Sequence, residues 1–196
     1  MNSAELCDAV RARLVQRHRY DHCVRVAELG RSLAVAHGVE PHKAWLAGML
    51  HDLARLWSME RLIAQAELRE LPIGPFERHN PIVLHAPLGA ALAREEFGVE
   101  DPEVLSAISK HTVAAGEMSP LDCIVYLADG LEPGRNFPDR VHLERLAMAD
   151  LAAAMRATIG SSLRYFMEKG IPVAPQTAEA AHTFGLSIDD LEVRAG

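Results

Sequence analysis

In the stretch GMLHDLARLW, residues 48–57, His51 and Asp52 stand side by side in a segment that is otherwise apolar from Trp45 to Leu56, Arg55 excepted. Withdrawing an unpaired carboxylate from water is costly, so a buried pair of this kind needs a partner, and a cation is the strongest one. Two further residues of the same chemistry extend apolar helical stripes. His22 continues backwards the stripe of Val26, Leu29 and Leu33, and Asp129 closes the stripe of Leu121, Ile124, Val125 and Ala128 in LDCIVYLAD. Imidazole nitrogens and carboxylate oxygens are the ligands expected of a borderline divalent metal such as iron, manganese or zinc. Neighbouring helical residues point about 100° apart. A long imidazole and a short carboxylate can nevertheless converge on one ion at a helix edge, and a carboxylate has two oxygens to share. The spacing permits a bridge without requiring one.

The elements that must position these residues read as helices. Asn2 and Glu5 form a capping box opening a first helix to about Gln16, and a second runs from about Tyr20 to His37 and stops at Gly38. Pro41 opens a third to about Leu56, with Ala47, Leu50, His51 and Ala54 on one face, and Ser58 caps a fourth to about Arg69. ELPIGPFERHNPIVLHAP contains four prolines and reads as a loop over the surface or over a site. Helices follow over about Ala86–Phe97, from Asp101-Pro102 through Lys110, and from Ser119-Pro120 to about Gly130. After the turn-rich EPGRNFP, a long helical pattern resumes to Lys169, and a short helix over about Ala178–Phe184 closes the chain. No alternating β pattern, repeat or low-complexity linker is evident. The expected architecture is therefore one all-α domain over residues 1–196, its core at about 18–139 and C-terminal helices at about 140–185 packing on it.

The chain is 49% hydrophobic, with a formal net charge of −7. That charge argues against a general nucleic-acid binder, whose affinity rests on neutralising many phosphates. A small anionic substrate remains compatible with it. No apolar run is long enough to span a bilayer, and MNSAELCDAV lacks the features of a signal peptide, so a cytoplasmic protein with no membrane partner is expected. Cys7, Cys23 and Cys123 form no CxxC pair and read as small hydrophobes rather than ligands. A homodimer is compatible with the sequence, although no helix carries an unambiguous exposed apolar stripe for its interface.

The order His22, His51-Asp52, Asp129 resembles the H…HD…D pattern of the HD-domain metal-dependent phosphohydrolases. Together RYDHCVRVAELG, LAGMLHDLAR, LHAPLGAALAREEFGV, ISKHT and YLADGLEPGRNFPD cover most of the chain from Arg19 to Asp139, and they resemble the YqeK family of symmetrical diadenosine tetraphosphate hydrolases. H…HD…D alone marks a broad superfamily; His85, His111-Thr112 and EPGR narrow it. The resemblance implies a single HD-domain helical bundle. It further implies one metal on His22, His51, Asp52 and Asp129 and a second on Asp52, His85 and His111, with Asp52 bridging two irons. The chain departs from the family at Arg55, usually Lys, at Ala86, usually Gly, and at Gly130, usually aromatic, and loses no metal position. Arg55 keeps the charge in a different geometry.

The reaction so implied is in-line attack on a phosphorus of diadenosine tetraphosphate by hydroxide generated at the bridged ions, releasing two ADP. Asp52 and Arg55 would be catalytic, and Arg55, Lys110 and Arg135 would neutralise phosphate charge. Other HD-domain activities compete: guanosine tetraphosphate hydrolysis, nucleotidase action and cyclic-dinucleotide cleavage. So does a non-catalytic nucleotide-binding module. The second histidine pair and EPGR favour the dinucleoside tetraphosphate. His18, His37, His42, His142 and His182 read as surface or packing residues, and His79, in the Pro-rich loop, is weighted the same way.

Overall fold

Proline and short polar side chains set where the helices begin. In α1 (Ser3–Leu14), Asn2 Oδ1 accepts from the amides of Ala4 and Glu5 while Glu5 reaches back to the Asn2 amide, the expected capping box. Pro occupies the first position of α3 (Pro41–Leu50), α5 (Pro75–His79), α7 (Pro102–Lys110), α8 (Pro120–Leu131) and α11 (Pro175–Thr183), where its missing amide would have no helical partner. The remaining helices are α2 (Arg17–Ala36), α4 (Met59–Leu68), α6 (His85–Phe97), α9 (Arg140–Ala149) and α10 (Leu151–Lys169). The computed structural model describes residues 2–187, and among them there is no strand. Residue 1 and residues 188–196 of the expected domain lie outside the described residues.

α2 is the hub. It packs along α3 and against α8 and α1, while α3 also meets α7 and α8, and α6 lies on α7. Leu33, Leu50, Leu88, Ile108, Ile124 and Leu127 from these helices are fully buried in one core. α9 and α10 pack on each other and on α8, and α11 packs on α10.

Several boundaries differ from the sequence reading, beginning with α2, which starts at Arg17, three residues before the expected Tyr20. The third helix ends at Leu50 rather than Leu56: from His51 the backbone turns more tightly, with bonds from Leu53 to Leu50, Arg55 to Asp52 and Trp57 to Ala54. The Pro-rich stretch is not a structureless loop. It contains α5, capped by Glu77 reaching the Gly74 amide at 2.9 Å, and a 3-10 turn at Pro81–Leu84 that runs into α6. The long C-terminal pattern is two helices, because Asp150 leaves helical geometry and its side chain caps Ala153 at 3.0 Å. The last helix begins three residues earlier than expected, at Pro175.

Two glycines set how closely the site-bearing helices approach. A Cβ on Gly48 of α3 would lie 2.7 Å from Ala27 Cα of α2, and one on Gly89 of α6 would lie 2.8 Å from the carbonyl oxygen of His51. Both neighbours are backbone, so no side chain can swing away. Gly48→Ala is therefore expected to destabilise the protein by about 1–3 kcal/mol through overpacking. Chemical denaturation reads it out, and an unchanged midpoint would contradict a Gly48-limited α2–α3 approach.

Candidate metal centre

Five elements bring six donors to one point. α2 carries His22, the turn after α3 carries His51 and Asp52, α6 opens with His85, His111 directly follows α7, and α8 carries Asp129 near its end. His22 Nε2 lies 3.2 Å from His51 Nε2 and 3.0 Å from Asp129 Oδ1, forming one cluster. His85 Nε2 lies 3.1 Å from His111 Nε2, forming a second. Asp52 stands between them. Its Oδ2 faces His51 Nε2 at 3.4 Å and His22 Nε2 at 3.8 Å, and its Oδ1 faces His85 Nε2 at 3.4 Å and His111 Nε2 at 3.9 Å.

The outer nitrogens explain why the inner ones converge. His51 Nδ1–H donates to the Gly48 carbonyl at 2.7 Å, His111 Nδ1–H to the Ile108 carbonyl at 2.7 Å, and His85 Nδ1–H to the Ile82 carbonyl. In each case the acceptor lies three residues back, in the last turns of a helix or 3-10 turn. For His51 and His111 it is a carbonyl at a helix C-terminus, which has no partner within its own helix. His22 Nδ1–H donates to Glu132 Oε1 at 3.1 Å. A carbonyl or carboxylate accepts only, so the proton of each neutral ring sits on Nδ1 and each Nε2 presents a lone pair inward. Two couples of Nε2 atoms at hydrogen-bond distance with no proton between them repel unless a cation lies among them. The donor set fits divalent metal ions, with Asp52 offering one oxygen to each cluster.

The electrostatics agree. Burial alone would raise the Asp52 pKa, but His51 and His85 overcome it and hold the carboxyl well below its ordinary value. Burial likewise opposes ionisation of Asp129, and its contact with His22 together with the Arg135 guanidinium outweighs that, so its pKa is also lowered. Glu132 is drawn down to about 2, its burial overcome by Arg25 and the Gly134 amide. His111 is pushed down to about 3 by burial and by His51 and His85, so protonating every ring is not an available way to neutralise the centre.

A cleft of about 260 Å³ opens on the centre, lined by Arg19, Asp52, Arg55, Ile82, His85, Thr112, Asp129 and Arg135. Among the described residues the Arg55 guanidinium makes no hydrogen bond or ion pair. Arg135 is tied to Asp129 Oδ1 at 2.5 Å and to its carbonyl at 2.9 Å. Lys110 is a correction to the sequence reading. Its ammonium donates to Asp122 Oδ2 at 2.8 Å and to the Glu117 carbonyl at 2.9 Å, which draws it into a separate hollow between α7 and α8 and away from the metal centre. His79 is exposed, bonded to the Pro75 carbonyl, and does not line the cleft. Gly130 has open space around it where a side chain would stand.

Three residues escaped the sequence reading of the site. Arg19 Nη1 donates to Asp52 Oδ2 at 2.7 Å, Glu132 orients His22, and the Thr112 hydroxyl lies 3.1 Å from His85 Nε2 and 3.0 Å from His111 Nε2. The available signal was helical spacing, since Arg19 and Glu132 stand one turn from His22 and Asp129. Cys23 is fully buried beside His51 and Asp52, close enough to complete a third donor group. Burial, reinforced by the Asp52 charge, pushes its pKa well up and keeps the thiol protonated.

An all-α domain that gathers histidines and aspartates in this way is of the HD-domain class. The model described as "HD domain" matches residues 19–134, and the chain belongs to that family. Among its relatives, the symmetrical bis(5'-nucleosyl)-tetraphosphatase of Bacillus subtilis (strain 168) is 35% identical over 177 residues, covering 90% of this chain and 94% of the relative. The protein of the same name from Halalkalibacterium halodurans is 34% identical, again over 90% and 94%. A crystal structure from Clostridium acetobutylicum, titled a "predicted HD superfamily hydrolase involved in NAD metabolism", matches with a TM-score of 0.89 at 29% identity over 94% of this chain and 97% of that one.

Because Asp52 serves both clusters, Asp52→Ala is expected to abolish metal loading as well as activity, and full metal content by elemental analysis would sink the shared-ligand role. Glu132→Gln keeps the shape but weakens the hold on His22. It is expected to lower metal affinity roughly 10–100-fold with the helical circular dichroism unchanged.

Proposed function

We propose that this protein hydrolyses diadenosine tetraphosphate symmetrically to two ADP. The observation that carries this reading is similarity along 90% of the chain to enzymes named for that reaction, in a molecule whose six donors converge. Its substrate is a small dinucleoside polyphosphate, handled in the cytoplasm. None of the described helices is long and apolar enough to cross a membrane.

His22, His51, Asp52 and Asp129 would hold one divalent ion, and Asp52, His85 and His111 a second. Iron is the first choice and manganese and zinc the others, since imidazole and carboxylate donors suit all three. Bound there, such ions would supply Lewis acidity, lowering the pKa of water to near neutrality and polarising a phosphoryl oxygen. The protein's own groups do the rest. Asp52 and Asp129, held ionised, are acceptors only and do not compete for protons at neutral pH. Arg55, with no partner among the described residues, meets the phosphate chain with a planar two-donor fork. Arg135 braces Asp129 from the cleft rim and adds positive charge there. Thr112 places a hydroxyl between His85 and His111, where it can hydrogen-bond a phosphate oxygen. Gly130 leaves open the space a bulky residue would fill. Lys110 has no part in this reading, because Asp122 holds it elsewhere.

Metal-loaded protein incubated with diadenosine tetraphosphate should yield ADP alone, resolved by anion-exchange chromatography. AMP together with ATP would refute symmetrical cleavage. Arg55→Ala should lower kcat/KM on the order of a hundredfold, while Arg55→Lys, which keeps the charge but not the fork, should lose less. Equal losses in both variants would argue for a geometric rather than a charge role.

A further inference from the structure

Arg19 stands one turn before His22 on α2, and its guanidinium meets Asp52 on the oxygen that faces the first cluster. Nη1 lies 2.7 Å from Oδ2, the oxygen directed at His51 and His22, whereas Oδ1 is directed at His85 and His111. This is the only side-chain hydrogen bond of Arg19 among the described residues, and its Nε is buried without a partner. The guanidinium is therefore held by a single hydrogen bond, and it lines the cleft from which an ion would enter. A guanidinium stays charged at any working pH, so the contact is a permanent ion pair in the metal-free protein.

We propose that Arg19 is a positioning residue that acts as a displaceable counter-cation. In the metal-free protein it neutralises Asp52 and fixes the rotamer in which the two oxygens are divided between the clusters. It must give up Oδ2, or share it, when an ion enters the His22, His51 and Asp129 cluster. This inference rests on the reading of both clusters as metal sites. A dication arriving beside a guanidinium is repelled by it, so Arg19 weakens the first site. It affects the second less, because Oδ1 is free of it. Outer-shell partners of metal ligands ordinarily tighten binding by supplying negative charge or orientation; this one does the reverse for affinity while protecting the empty site from an unpaired buried carboxylate.

The test is calorimetric titration of Mn²⁺ into chelator-treated protein, comparing wild type, Arg19→Met and Arg19→Lys, with melting temperatures before and after saturation. Arg19→Met is expected to bind on the order of tenfold tighter at one site, to melt at lower temperature when metal-free, and to regain wild-type stability when saturated. Arg19→Lys should restore the wild-type affinity and metal-free melting temperature. Should metal-free Arg19→Met fail to fold, Arg19→Gln, which keeps a donor toward Oδ2 without the charge, is titrated with the same expectation. Unchanged or weaker affinity in the neutral variants overturns the counter-cation role alone. A wild type that takes up no Mn²⁺ overturns the metal reading and the counter-cation role with it.

Discussion

The carboxylate of Asp52 is the constraint around which the molecule is arranged. Its side chain is 3% exposed and is flanked by four imidazoles and a guanidinium. A buried anion needs neutralisation, but the surroundings go further than neutralisation requires. One arginine would satisfy one oxygen. Instead, each oxygen is opposed by its own pair of Nε2 lone pairs, and those pairs repel each other as well as the carboxylate. Such a convergence of electron pairs is unfavourable in a protein interior unless positive charge resides between them.

The fold meets this constraint with helix ends rather than helix middles. The Nδ1 protons of His51 and His111 point at carbonyls that their own helices leave without partners, and His85 uses the 3-10 turn before α6 in the same way. One interaction therefore satisfies an orphan carbonyl, fixes the tautomer and aims the ring. The same device explains the early end of α3. Had the helix continued through residue 56, the Gly48 carbonyl would have been taken by the amide of Asp52, and adjacent His51 and Asp52 would have diverged around the helix. The tighter turn at 51–57 lets them converge.

Much of this was legible in the sequence. The capping box at Asn2, the proline starts of α3, α7 and α8, and the inward-facing stripes through His22 and Asp129 followed from residue type and spacing, whereas His85 and His111 entered only through the family resemblance. What escaped had specific causes. The break at Asp150 hides in AMADLAAAM, where every neighbour favours a continuous helix and a single capping side chain decides otherwise. Helical order inside the Pro-rich stretch was masked because prolines at first-turn positions start helices as readily as they end them. Lys110 was misassigned because sequence adjacency to His111 does not determine direction. At the end of α7 the two side chains diverge, and the buried Asp122 holds the ammonium. Arg19 and Glu132 needed three-dimensional information: their spacing placed them on the right side of a helix, but an arginine or glutamate one turn from a ligand is ordinarily solvated.

Charge placement also accounts for how an acidic chain presents a cleft suited to polyphosphate. The net charge of −7 is a property of the whole surface, whereas binding responds to the local field in a hollow with low-dielectric walls. There the carboxylates are already committed: Asp52 to Arg19, Asp129 to Arg135, and Glu132 to Arg25. With the anions neutralised internally and Arg55 unpaired, every divalent ion added makes the cleft more positive. Metal loading and anion binding are coupled through this arithmetic of charge. A cleft that becomes more positive as its metal ligands are filled favours polyphosphate in the state able to cleave it.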